Sequence, residues 1–335
     1  MIKNIISWDI GGTKCAAGVV EYDQNTQEFT CRQRFSINIE ETSSLEDLIR
    51  QLEKGLEFSM PAADAICIGA AGQYNGESLI YEGVYPYPMH FAKVAKNQNW
   101  PLYAVVHDYT PIVCATFTSY MDNAQNIKQL NSAPFNHYGR RVALGLGTGL
   151  GMKDGALLSS GDVWLGKNEI GHIGITAPPH ADSERQKQHA ELISFLQANH
   201  QPVTFEKILS GPGMTRLYEF FYPNQEKLTP EQVSEKIREG LATEMYSAFA
   251  WYLGILIGTI QLIFMPEGGI WITGGVALKH LPLFDSPDFL AGIKASPAYQ
   301  TQREEYPLGV LCNPEHALIG GGYYAVNQLM TAFKH

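Results

Sequence analysis

The stretch Ile5-Ile6-Ser7-Trp8-Asp9-Ile10-Gly11-Gly12-Thr13-Lys14-Cys15 decides how the chain is read. Ile5 to Trp8 form an apolar strand, Gly11 and Gly12 a turn without side-chain bulk, and Cys15 to Val20 a second strand, so the segment predicts a hairpin tipped with glycine. Around the tip stand a carboxylate (Asp9), a hydroxyl (Thr13) and a cation (Lys14). Glycines let backbone amides approach phosphate oxygens, Asp9 is placed to hold magnesium through water, and Lys14 offers positive charge. A tight hairpin with exposed polar residues is the plainer reading of the same stretch.

About 135 residues later the pattern returns. Arg141-Val142-Ala143-Leu144 leads into Gly145-Leu146-Gly147-Thr148-Gly149-Leu150-Gly151, and Met152 to Leu158 follow as a strand. Gly147, Thr148 and Gly149 at its centre would cradle a second phosphate. The loop lacks the Lys-Ser/Thr ending of a Walker loop and no helix follows it, so neither the P-loop nor the dinucleotide-binding fingerprint fits. Two matching hairpins suggest an ancestral duplication, and 335 residues exceed what one core usually serves.

Between the hairpins, Leu45 to Phe58 has helical spacing, and Ala65 to Gly69 reads as a buried strand ending in Gly69-Ala70-Ala71-Gly72. Tyr103 to Val106 is a similar strand that stops at His107-Asp108, and Pro111 to Tyr120 predicts a helix with proline in its first turn. Further on, the polar segment Thr176 to Gln201 carries a helix from about Glu191, and helices fill much of 214–265. A strand at 270–273 ends in Gly274-Gly275, and Gly320-Gly321-Gly322 opens a terminal helix. Met245 to Pro266 is uncharged, with Gly254 and Gly258 at the spacing of a membrane-helix motif. Thr259 and Gln261 interrupt it and flanking basic residues are missing, which favours a buried helix packed on a sheet.

Composition narrows the function classes. Hydrophobic residues make up 45% and charged ones 17%, the profile of a globular chain and not of a disordered one. Lys and Arg number 24 against 34 Asp and Glu, a formal charge of -10 without a basic run, so nucleic acid and anionic membranes are poor partners. Five scattered cysteines (Cys15, Cys31, Cys67, Cys114, Cys312) form no Cys-x-x-Cys pair, which fits a reducing cytoplasm and indicates neither disulfides nor zinc. The first residues run straight into a strand pattern without the features of a secretory signal.

Two phosphate hairpins together with Gly274-Gly275 after a strand resemble the sugar kinase, actin and heat-shock-70 ATPase superfamily. Within it the chain resembles the bacterial glucokinases, through Leu209-Ser210-Gly211-Pro212-Gly213 followed by Leu217-Tyr218, and through Glu169-Ile170-Gly171-His172. The match covers nearly the whole length in order. It implies an α/β, two-domain ribonuclease-H-like (actin-like ATPase) fold with the active site in the interdomain cleft. The small domain would comprise 1–109 plus about 319–335, and the large one 110–318. Implied substrates are ATP, with Mg2+, and a hexose, foremost glucose; relatives are commonly homodimers. Carried over by position, the resemblance makes Asp108 the catalytic base and assigns His107, Asp108, Glu169, His172 and Glu206 to the sugar. Asp9, Gly11, Gly12, Thr13, Lys14, Gly147, Thr148, Gly149, Gly274 and Gly275 go to the nucleotide, Asp9 with the metal through water. Each acid or imidazole has a structural alternative: Asp108 a helix cap, His172 a core histidine, Glu206 an exposed helix carboxylate.

The chemistry explains the residue types. A sugar hydroxyl attacking the terminal phosphorus must shed its proton, which a carboxylate accepts, while several hydrogen bonds hold one oxygen in line. Domain closure would exclude water as a competing acceptor. Two departures stand out. The family usually has Asn before the catalytic Asp, where this chain has His107, and Val84-Tyr85-Pro86-Tyr87-Pro88 occupies the place of its Thr-Asn-x-x-Trp stretch. A kinase for another hexose or an N-acetylhexosamine is therefore an alternative, and an actin-like or chaperone ATPase is one of a different class. A repressor of the related group would need a helix-turn-helix domain ahead of Ile5.

Overall fold

The computed structural model describes residues 1–80, 85–175 and 180–331. Val84 of the Val84–Pro88 stretch, residues 176–179 at the head of the polar segment and the last four residues lie outside the described residues.

Along the chain come β1 (Ile2–Ile10), β2 (Lys14–Asp23), β3 (Glu28–Asn38), α1 (Leu45–Leu56), β4 (Ala65–Ala70), β5 (Gln73–Tyr74), β6 (Leu79–Ile80), α2 (Phe91–Asn97), β7 (Leu102–His107) and α3 (Tyr109–Ala115). Then follow β8 (Ile127–Gln129), β9 (Arg141–Leu146), β10 (Leu150–Leu157), β11 (Val163–Leu165), α4 (Ser183–Ala198), α5 (Gly211–Phe221), α6 (Pro230–Arg238) and α7 (Thr243–Phe264). The chain closes with β12 (Ile270–Thr273), α8 (Gly275–Lys279), α9 (Pro287–Lys294), α10 (Gln300–Glu304), β13 (Leu308–Leu311) and α11 (His316–Tyr324). Two compact units result: unit 1 holds Met1–Ile127, Gly155–Leu165 and the chain from Asn313 on, and unit 2 holds Lys128–Asp154 and Gly166–Cys312.

Unit 1 is built on a sheet of order β3-β2-β1-β4-β7. The β1–β2 and β2–β3 pairs are antiparallel, whereas β1, β4 and β7 run parallel. Ile5, Ile6 and Trp8, and every residue of β4, are buried, as continuous apolar runs in parallel strands require. On one face α1 buries Leu45, Leu48, Ile49, Leu52 and Leu56, its start fixed by Ser44 accepting the Asp47 N–H. On the other, α11 packs on α3 and β1.

Two helix readings need correction here. The triplet Gly320-Gly321-Gly322 does not open α11 but lies in its middle, because a Cβ on Gly320 would fall 1.7 Å from the Pro111 carbonyl oxygen, so only glycine lets the helix lie so close to α3. Helix α3 starts at Tyr109 and ends at Ala115, short of Tyr120. The Thr116 and Thr118 hydroxyls turn back onto the Val113 and Ala115 carbonyls at 2.6 and 2.7 Å, a local alternative to continuing the helix, and a separate 3-10 turn covers Ser119–Asp122. Since α3 packs on α11, it belongs with unit 1, although a boundary at residue 109 would place it in the large domain.

The second sheet, most of whose residues belong to unit 2, repeats the plan. The order β11-β10-β9-β12-β13-β8 again sets a hairpin beside parallel strands, with β12 parallel to both β9 and β13. Helix α7 is buried along most of its length and packs against α9, the side that Gly254 and Gly258 face, so the uncharged segment is a core helix. Helix α4 begins at Ser183, eight residues ahead of Glu191, because Asp182 accepts the Arg185 N–H at 2.8 Å and caps a first turn too polar to show a hydrophobic period.

Candidate active site

In unit 1 the predicted residues gather at the carboxyl ends of the parallel strands, the usual ligand edge of such sheets. Asp9 stands opposite Gly69, and His107 opposite Ala70. The Asp108 N–H donates to the Ala70 carbonyl at 3.1 Å, and the Ala71 N–H to that of Ile10 at 3.4 Å, so one row of backbone bonds carries both acids. Burial raises the Asp9 pKa to about 6, the negative charge of Asp108 adds to it, and Arg34 opposes both. Two carboxylates thus crowd one edge, a field that a cation or a proton would relieve.

Asp108 also caps α3, its Oδ1 accepting the Tyr109 N–H at 3.0 Å. A carboxylate offers about four acceptor positions, so capping holds the group in place without consuming it. His107 Nδ1 lies 3.0 Å from the same Oδ1 and 3.3 Å from the Tyr109 nitrogen. Beyond the strand end, the Gly11 N–H closes the tip on the Lys14 carbonyl at 2.9 Å, leaving Gly12, Thr13 and Lys14 exposed.

Unit 2 holds the remaining residues. The Gly147 N–H donates to the Gly149 carbonyl at 3.0 Å, and the Gly147 carbonyl accepts the Gly211 N–H at 2.8 Å. Ser210 caps α5 by accepting the Gly213 N–H at 3.1 Å, so the Leu209–Gly213 motif ties a helix start to the glycine turn. Glu206 lies on a 3-10 turn (Phe205–Lys207), and its Oε2 accepts the Leu150 N–H at 3.3 Å, so it is not an exposed helix carboxylate. Segment 173–175 runs beside 203–205, with Phe205 N–H bonded to the Ile173 carbonyl and Ile175 N–H to that of Val203. This pairing brings the turn of Glu169 and His172, both exposed, next to Glu206. Gly274 follows β12, whose Thr273 pairs with Gly145. Its φ of 101° and a 2.3 Å approach of any Cβ to the Leu146 carbonyl oxygen both demand glycine, which puts Gly274 and Gly275 beside the Gly147 turn.

Each unit therefore assembles its own set: Asp9, Gly11, Gly12, Thr13, Lys14, His107 and Asp108 in unit 1, and Gly147, Thr148, Gly149, Glu169, His172, Glu206, Gly274 and Gly275 in unit 2. Sequence reasoning missed two residues in unit 1. Arg34 lies on β3, a strand of alternating, mostly exposed positions that gave no signal. Tyr85 donates its hydroxyl to the Ala71 carbonyl at 3.1 Å, bracing the strand-end row from within the Val84–Pro88 stretch.

Comparison with known proteins bears on both halves. The family described as Glucokinase matches residues 6–328. A glucokinase of Saccharophagus degradans is 25% identical over 320 residues, 93% of this chain and 95% of the relative. One of Rhizobium etli is 28% identical over 211 residues, 60% of this chain, which spans 59% of that relative. Among solved structures, a glucokinase from an Antarctic psychrotroph superposes with a TM-score of 0.81 at 19% identity, covering 97% of this chain and 99% of its own. The Balamuthia mandrillaris glucokinase in complex with glucose gives 0.74 at 16% identity, covering 96% and 93%. These structures share the two-domain, actin-like ATPase fold with this chain. With the family matched from the first strand to the last helix, this chain belongs to the glucokinase family.

Proposed function

We propose that the chain transfers the terminal phosphoryl group of ATP to the 6-hydroxyl of glucose, with Asp108 as general base. The family supports a hexose kinase, and the observation that carries the assignment of the base is the Asp108 carboxylate, fixed at the edge of unit 1's parallel strands beside Asp9. In this reading the sugar O6–H proton passes to Asp108 as the bond from O6 to phosphorus forms and the bond from phosphorus to the departing ADP oxygen breaks. Glu169, His172 and Glu206 hydrogen-bond sugar hydroxyls and orient O6. The Gly11 and Gly147 N–H groups close their own turns. The amides of Gly12 and Gly149 cradle phosphate oxygens where the glycines leave room, Lys14 adds charge, and Gly274-Gly275 let the nucleotide approach the backbone.

The residues fit magnesium in a limited way. Asp9 is partly buried and its pKa is raised to about 6 by its surroundings, so a nearby cation would stabilise its carboxylate. Among the described residues no three acidic, His or Cys side chains converge as a protein-only metal site needs, so phosphate oxygens and water would supply most ligands and Asp9 would act through water. Bound magnesium supplies charge neutralisation on the transferred phosphoryl group. Five free cysteines suit a reducing cytoplasm.

His107 in place of the family's Asn favours a second reading, a kinase for another hexose or an N-acetylhexosamine. One experiment addresses both: ADP formation from ATP and magnesium with glucose, fructose, mannose, galactose, N-acetylglucosamine or N-acetylmannosamine. Glucose gives the largest kcat/KM, and Asp108→Ala lowers kcat by about 10²- to 10⁴-fold. Turnover that does not depend on sugar would refute the kinase reading. Retention of most sugar-dependent turnover by Asp108→Ala would remove only the base.

A further inference from the structure

Asp154, on β10, takes no part in the chemistry above, yet it is a carboxylate with only 1% exposure. Arg140 donates to its Oδ2 from Nε at 2.9 Å and also from Nη2, and the same guanidinium lies 4.8 Å over the Phe264 ring. Asn168 donates from Nδ2 to Oδ1 at 3.0 Å, and the Asp154 backbone carbonyl accepts the Gly166 N–H at 2.9 Å. A buried carboxylate is costly unless both oxygens are satisfied, and here both are. The result is a fixed point in the sheet that grips the loop after β11 twice, at Gly166 and at Asn168. The next residue is Glu169.

We infer that Asn168, anchored by Asp154, is a positioning residue that sets the Glu169–His172 turn for sugar binding. The inference rests on the reading of Glu169 and His172 as sugar ligands. Covalent adjacency does the coupling: with the Asn168 side chain fixed to the sheet, the backbone entering Glu169 has less freedom to lose on binding, so less ordering entropy opposes the sugar. Without that bond the turn samples more orientations and the sugar must select one.

The same geometry separates this role from a general structural one. Asn168 Oδ1 is buried without a donor, so truncating the side chain removes an unsatisfied acceptor together with the one bond to Asp154. Truncation also strands the buried Asp154 Oδ1 without its Asn168 donor, which lowers the thermal midpoint, so the split between the glucose and ATP KM values, and not Tm, separates the two roles.

The test compares full-length wild type, Asn168→Ala, Asn168→Asp and Glu169→Gln for KM of glucose, KM of ATP, kcat and Tm. Asn168→Ala raises the glucose KM about tenfold, the size of one hydrogen bond to a charged group, and leaves the ATP KM within about twofold. Asn168→Asp, of equal size but without the donor and facing Asp154 with like charge, raises it at least as far. A glucose KM within about twofold of wild type in Asn168→Ala, while Glu169→Gln raises it, overturns the positioning role alone. Equal rises in both KM values overturn it in favour of plain structural support, whatever the fall in Tm. An unchanged glucose KM in Glu169→Gln overturns the sugar-ligand reading and this inference with it.

Discussion

The two glycine turns look alike as strings of residues and are held in opposite ways. The tip at Gly11–Lys14 closes on its own backbone, and behind it stands Asp9, partly buried and facing the charge of Asp108. The turn at Gly147–Gly149 is tied from outside instead, by the Gly211 N–H on the Gly147 carbonyl and by Glu206 on the Leu150 N–H. One turn carries stored charge and the other imposed shape. A strand-turn-strand unit that recurs therefore does not repeat its chemistry; the side chains packed around each turn decide what it can do.

Removing the stored charge breaks the comparison most sharply. Asp9→Asn keeps the shape of the residue and abolishes its ionisation. Burial raises the Asp9 pKa from 3.8 to about 6, so the folded state holds a proton that the unfolded state has lost between those values, and stability falls as pH rises through that window. The cost is complete above about pH 6 and absent below about pH 4. Asp9→Asn should thus raise the thermal midpoint of the ligand-free protein at pH 8, by a gain of at most about 3 kcal/mol, and leave it unchanged at pH 4. In the same variant kcat should fall by about 10²-fold or more if, as proposed, a magnesium ion relies on this carboxylate. Thermal melts at the two pH values with steady-state rates check this, and an equal gain in Tm at both pH values would refute the charge account.

Cutting the outside tie tests the other turn. Glu206→Gln keeps an acceptor for the Leu150 N–H but loses charge, so it should raise the glucose KM about tenfold and spare the ATP KM. Glu206→Ala severs the tie and should raise both. If Glu206→Ala moved the glucose KM alone, the Leu150 bond would not be what shapes the Gly147–Gly149 turn.

The legible part of the fold was the part with strong local signals. Both hairpins, the strands ending at Ala70 and His107, and the strand before Gly274 could be read because β4 and β12 are buried parallel strands, short apolar runs punctuated by glycine, and the half-buried β7 is an apolar run that stops at His107-Asp108. Strands β3, β8 and β13 were not read, β3 for its polar alternation and the others for their length of three and four residues. The glycine triplet in α11 was misread because glycine usually marks a helix end, whereas here the contact with Pro111 overrides propensity. Of the site, residue types were legible and their support was not. Nothing local in the sequence links Glu206 to Leu150, or Asn168 to Asp154, since these bonds join positions 56 and 14 residues apart.

The smallest effect concerns the motif that most resembled the family. Ser210 accepts the Gly213 N–H as helix cap and donates its own hydroxyl proton to the Glu206 carbonyl at 2.8 Å. If Leu209–Gly213 exists to hold a turn and not to touch substrate, Ser210→Ala should cost about 1 kcal/mol, a fall in Tm of about 2–4 °C, and raise the glucose KM only about two- to threefold through a looser Glu206. Asn at this position can still cap through its own side-chain oxygen, so Ser210→Asn should recover most of the lost Tm. A loss of kcat out of proportion to the loss of stability would instead place the Ser210 hydroxyl in the chemistry, and the contrast between a charged turn and a shaped one would no longer hold.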